Sequence, residues 1–171
     1  MSKGLTYSSR RGVAGKQSVT KQLVRVNAQA ITVNGASGVG FGTAVIGDVP
    51  EGNVLFLGAI AYLQFTKVSA ATGIQATFDG DYSIGSAPTA DATLNGSEVD
   101  LIPSTALGAA TAGVSPVVRG ANATQVMLDN TDASLEINLN LLIDDANITA
   151  DAQGLTVSGY VLLSYVIMGD D

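Results

Sequence analysis

Along this chain the apolar positions recur mostly with period two, the signature of half-buried strands rather than helices. In Val24-Arg25-Val26-Asn27-Ala28-Gln29-Ala30 the apolar residues fall on even positions and the polar ones on odd positions, so one face is buried and one is wet. Val54 to Phe65 is apolar on both faces, which predicts a strand covered on both sides, with a short helix as the alternative by propensity. Ile74-Gln75-Ala76-Thr77-Phe78 alternates again and runs into the turn signal Asp79-Gly80-Asp81 before Tyr82-Ser83-Ile84. Residues 85–124, with Pro88, Pro103 and Pro116, read as long loops with short extended pieces around Leu101 and Val117-Val118. Leu135-Glu136-Ile137-Asn138-Leu139-Asn140-Leu141 then alternates cleanly, and a long last strand begins near Leu155. About eight strands and no four-turn amphipathic helix predict an all-β, jelly-roll-like β-sandwich, with an immunoglobulin-like sandwich as the rival.

Composition narrows the chemistry. The 171 residues suffice for one domain, and 46% hydrophobic residues with only 13% charged ones are too apolar for a disordered chain. There is no His, Cys or Trp, which removes Ser-His-Asp and Cys-His nucleophiles, thiolate or imidazole metal sites, and disulfide staples. An enzyme built from this sequence would have to work with carboxylates, hydroxyls or Lys, and a non-enzymatic role without cofactor or metal is expected.

The charge distribution divides the chain. Residues 1–47 carry six basic residues and no acidic one, whereas residues 48–171 carry 2 − 15 = −13, giving the net −7. Residues 1–22, rich in Ser, Gly, Thr and Lys, predict an extended basic arm attached to a body over 23–171. Lys3, Arg10, Arg11, Lys16, Lys21 and Arg25 are its candidate anchors on an acidic partner. A nucleic-acid partner is disfavoured, because the −13 body repels phosphate and few aromatics are available for stacking. A membrane role is not expected either. The apolar run Tyr160 to Met168 is half the length of a spanning helix, and Ser9-Arg10-Arg11 lacks the apolar stretch of an export leader.

Three constellations bear on chemistry. Gly35-Ala36-Ser37-Gly38-Val39-Gly40-Phe41-Gly42 has spaced glycines but no Lys-Ser/Thr pair to close a phosphate loop, so it reads as a hairpin or bulge. Asp79-Gly80-Asp81 and Asp144-Asp145-Ala146-Asn147 offer oxygen ligands without the twelve-residue calcium-loop pattern, and read as turns. Asp79 with Asp144, or Glu98 with Asp100, are the carboxylate pairs that a glycosidase would require, without a Trp to stack the sugar.

The segments Leu139-Asn140-Leu141-Leu142-Ile143-Asp144-Asp145-Ala146-Asn147-Ile148-Thr149-Ala150, Leu155-Thr156-Val157-Ser158-Gly159-Tyr160-Val161 and Gly169-Asp170-Asp171 resemble the C-terminal part of small proteins that decorate or cement the heads of tailed bacteriophages. The resemblance covers about a quarter of the chain. It implies a jelly-roll-like homotrimer on the outer capsid surface of the virion, holding neighbouring major capsid protein subunits together. A receptor- or glycan-binding head-fibre or tail module is the alternative. Since both faces of the last strand are apolar, Leu162, Val166 and Met168 are the candidate oligomer interface, opposite Val161, Leu163, Tyr165 and Ile167.

Overall fold

The computed structural model describes residues 18–35, 38–131 and 135–169. Nine strands account for most of them: β1 (Thr20–Val33), β2 (Gly40–Asp48), β3 (Gly52–Lys67), β4 (Gly80–Gly85), β5 (Ile102–Ala106), β6 (Val118–Asn122), β7 (Val126–Asn130), β8 (Glu136–Ile143) and β9 (Gln153–Gly169). Among the described residues helix is confined to two single 3-10 turns, at Gly96–Glu98 and Asp145–Asn147. No helix among the described residues is long and apolar enough to cross a membrane.

The pairing has a simple logic. The chain runs out through β1 to β4 and folds back antiparallel on itself, so that β4 pairs β5, β3 pairs β6 and β7, β2 pairs β8, and β1 pairs β9. Rolling this ribbon adds the β3–β9 and β4–β8 pairings. Two sheets result, β1-β9-β3-β6 with β7 also on β3, and β2-β8-β4-β5. That is the jelly-roll topology, and the sandwich expectation holds.

Alternation builds the core. Ala61, Leu63 and Phe65 of β3, Val157, Val161 and Leu163 of β9, and Ile137, Leu139, Leu141 and Ile143 of β8 point inward and are almost fully buried. Phe65 and Tyr82 join the two sheets, their ring centroids 5.6 Å apart. Burying Tyr82 leaves its hydroxyl without a hydrogen-bond partner, pressed against the backbone of Gly120. Burial pushes the phenol up to about 12, an effect that the nearby Gly120 backbone partly offsets. A Cβ at Gly120 would lie 2.4 Å from that hydroxyl oxygen, so only glycine lets β6 approach so closely.

Several sequence expectations change. Val54 to Phe65 is strand, as favoured. Ile74 to Phe78 is not a strand: Ile74 makes one bridge to Ile148, Ala76 is exposed, and Phe78 N–H bonds to the Gln75 carbonyl in a turn. Its two buried residues are four apart, a spacing that superficially satisfies alternation. Asp79-Gly80-Asp81 is a strand entry instead of a turn. β4 begins at Gly80, whose φ of +146° and close approach to the Leu142 carbonyl exclude a side chain. The arm boundary also moves, because Thr20, Lys21 and Gln22 already pair with Tyr165, Ser164 and Leu163 of β9.

Candidate interaction surface

The outward faces of the two sheets are treated differently by the chain. On β8, Asn138 and Asn140 point away from the core yet are about 1% and 0% exposed. Segment 86–99 lies over them. Asn140 Nδ2 donates to the carbonyls of Ala87 (3.0 Å) and Glu98 (3.1 Å), and its Oδ1 accepts from Thr89 N–H (2.8 Å) and the Thr43 hydroxyl (2.9 Å). Ser83 donates to the Glu98 carbonyl at 2.7 Å. Each polar group that this cover buries is satisfied, which makes the cover stable.

These contacts also settle the second carboxylate pair. Asp100 accepts from the Ser86 N–H (2.9 Å) and hydroxyl (2.6 Å), and Glu98 accepts from the Asn95 N–H (2.9 Å). Asp100 thus ties the two ends of the loop together, and Glu98 caps the 3-10 turn within it. Asp79, Asp81 and Asp144 do come together, lining an open depression of about 240 Å³ with Gly80, Ala106 and Gly108. Asp79 accepts from Asn147 Nδ2, and Asp144 N–H donates to the Asp79 carbonyl at 3.2 Å, so the grouping follows from closing the β8–β9 connection. No cluster of three or more metal-ligating side chains occurs among the described residues.

The outer face of the other sheet has no cover of this kind. Register places Arg25 of β1 beside Tyr160 of β9, Tyr160 beside Tyr62 of β3, and Tyr62 beside Arg119 of β6. Inward neighbours on each strand are buried, so all four side chains point outward, and the two tyrosine rings lie 5.4 Å apart. The adjacent row runs Leu23, Leu162, Ile60, Ala121. Leu23 is 49% exposed and Ile60 37%. Further along, Val166, Leu55 and Met127 form a third row.

Irregularities in the strands shape this face. Leu57 and Gly58 form a bulge in β3 against β9, and the β6–β7 edge is interrupted opposite it. The bulge opens a shallow depression of about 200 Å³, walled by Leu57, Ile60, Leu162, Ser164 and Asn122. Gly58, at φ +151°, is held against the Asn122 carbonyl, where a Cβ would sit 2.6 Å away. In β1 a second bulge places Ala28 at φ 49°, its N–H bonded to the Ser158 hydroxyl at 3.0 Å.

Charge is concentrated here as well. Of the four Lys and Arg residues described, Lys21, Arg25 and Arg119 lie on this face, and Lys67 stands at the far end of β3. None of the three is held in an ion pair with a described residue. Asp129 lies at one end of the face, its carboxyl held below the usual range by the Thr131 hydroxyl and N–H.

Among the sequence-predicted site residues, Lys21 and Arg25 are exposed on this face, and Lys3, Arg10, Arg11 and Lys16 lie outside the described residues. Leu162 is half-buried and Met168 is 43% exposed, whereas Val166 is only 9% exposed within the single chain. Ile167 is 44% exposed although it pairs with buried Val54, and the register slips by one residue just beyond it, at Met168. Sequence reasoning missed Tyr62, Tyr160, Ile60 and Arg119. The two tyrosines stand in runs that are apolar on both faces, and only the register reveals that they meet.

No family model and no curated protein matches the chain. Among solved structures it is similar to that of the infectious bursal disease virus Gx strain, at 15% identity and a TM-score of 0.40 over 89% of this chain and 34% of that one. A VP2 subviral particle of the same virus gives 14% identity and 0.39 over 86% and 32%. The chain thus spans about a third of the length of those two (34% and 32%). Superpositions this loose do not bear on function.

Proposed function

We propose that this chain is a structural virion protein that decorates the icosahedral head of a tailed bacteriophage and cements neighbouring major capsid subunits from the outside. The observation that carries the reading is the contrast between the outer faces: one is covered over Asn138, Asn140 and Ser83 by the chain's own loop, with Val45 exposed at its edge, and the other is left apolar, aromatic and cationic across four strands. A cement protein needs a rigid body and a broad adhesive surface, and this fold supplies both. The resemblance of residues 139–150, 155–161 and 169–171 to decoration proteins supports the same reading. The basic residues Lys3, Arg10, Arg11 and Lys16 would add weak electrostatic contacts that gain strength by repetition over a lattice.

The test is direct. Purified protein is mixed with DNA-free heads that lack it, bound copies are counted after sedimentation, and the particles are imaged. Saturable binding with density at fixed lattice positions outside the shell is the expected outcome. An absence of binding at micromolar protein and low salt rejects the reading.

A further inference from the structure

We infer that the Arg25-Tyr160-Tyr62-Arg119 row and the depression beside it form the docking site for an acidic protein surface, one that presents a projecting apolar side chain flanked by carboxylates. The inference rests on the decoration reading and adds the chemistry of the surface contacted. Three strand spacings separate the two arginines, about 14 Å across the sheet. Between them the tyrosine pair offers rigid, amphipathic area, and Tyr and Arg are among the residue types enriched at the hot spots of protein interfaces. Next to the row, Leu23, Leu162 and Ile60 provide an aliphatic strip, and the 200 Å³ depression between Ile60, Leu162 and Leu57 can admit one side chain.

Charge complementarity selects the partner's sign. In a chain of net −7, three of the four described cations gather on this face, so a partner seated here must bring carboxylates to both ends of the row. A second copy suits the face poorly. A twofold pairing sets cation against cation, whereas stacking this face on the Asp79, Asp81 and Asp144 depression, on the far sheet, repeats without closing. Nucleic acid would use the arginines and the rings but not the aliphatic strip.

The experiment compares wild type with R25E/R119E, Ile60→Ser and Lys67→Glu for binding to DNA-free heads by co-sedimentation. All four positions are partly or fully exposed, and unchanged thermal melts verify folding. R25E/R119E is expected to weaken binding by at least about tenfold and Ile60→Ser by about threefold, with K67E equal to wild type. Radical footprinting on bound heads should protect Tyr62 and Tyr160. If wild type binds and R25E/R119E binds equally, this site is wrong while decoration stands. Failure of wild type to bind overturns both. Two further results overturn the site alone: tight binding of wild type, but not R25E/R119E, to polythymidine at 0.15 M salt, or a stable oligomer of wild type that R25E/R119E dissolves.

Discussion

The sandwich has two outer faces with contrasting fates. On the β2-β8-β4-β5 sheet the outward residues Asn138, Asn140 and Ser83 are buried under a loop of the chain's own, with Thr43 half-buried and Val45 left exposed on the β2 edge. On the β1-β9-β3-β6 sheet they are Leu23, Tyr62, Tyr160, Leu162 and Ile60, which the chain leaves open to a substantial degree. Polarity alone would have assigned these faces the other way round. Amide side chains can seal a loop onto a sheet because they satisfy both its donors and its acceptors. An aromatic and aliphatic row has no such use for a polar loop, and is worth most against a partner that shares its character.

Breaking the sealed face should have the largest effect. Asn140→Ala removes one side chain that serves two carbonyls, one N–H and one hydroxyl, and is expected to cost about 2–4 kcal/mol in urea denaturation. Hydrogen exchange should accelerate selectively in residues 86–99, with the amides of β1 and β9 protected as before. At the edge of the open sheet, Gly120→Ala drives a methyl group into the Tyr82 hydroxyl and Ile102, and a loss of about 1–3 kcal/mol is expected from the same measurement.

Tyr82→Phe sharpens the comparison between satisfied and unsatisfied burial. Removing an orphan hydroxyl should leave stability unchanged or raise it by up to about 1 kcal/mol near neutral pH. Its pH dependence has a fixed sign. The phenol is raised in the fold from 10.0 to about 12, so its contribution is complete below pH 10 and is lost as pH climbs through 12. Melting temperatures of wild type should therefore fall more steeply over that range than those of the Phe variant, which keeps only the smaller contribution of Tyr165, also raised by burial. The smallest effect belongs to the open face. Ile60→Thr, 37% exposed before substitution, should shift stability by less than about 0.5 kcal/mol, and a larger loss would mean that the face is covered in the free protein.

Strand content and inward faces were legible wherever alternation was strict, as in Leu135 to Leu141, since a one-residue slip would expose the whole apolar set. The register between distant strands was not legible. Arg25 and Arg119 are 94 positions apart in the sequence (119 − 25), and nothing local says that two strands and two tyrosines will fill the space between them. Bulges were equally hidden, because Leu57-Gly58 and Ala28 interrupt patterns that look continuous. Within 85–124 the short extended pieces near Leu101 and Val117-Val118 are β5 and β6, whereas 86–99 carries no signal for a different reason: it covers a sheet through its backbone hydrogen bonds, a task that imposes no periodicity on side chains.

The pairing of β1 with β9 imposes an order of events on synthesis. Thr20 must find Tyr165, so β1, the first of the described strands, has no hydrogen-bonded neighbour in its sheet until β9, the last of them, is available. At translation rates of roughly 5–20 residues per second, β1 waits on the order of ten seconds with Leu23, Val24 and Val26 unprotected. Folding dominated by such distant pairings is slow even for a free chain. The interval is a window for mispairing between neighbouring nascent chains, and expression at low temperature or with chaperones that shield extended apolar segments should raise the soluble yield.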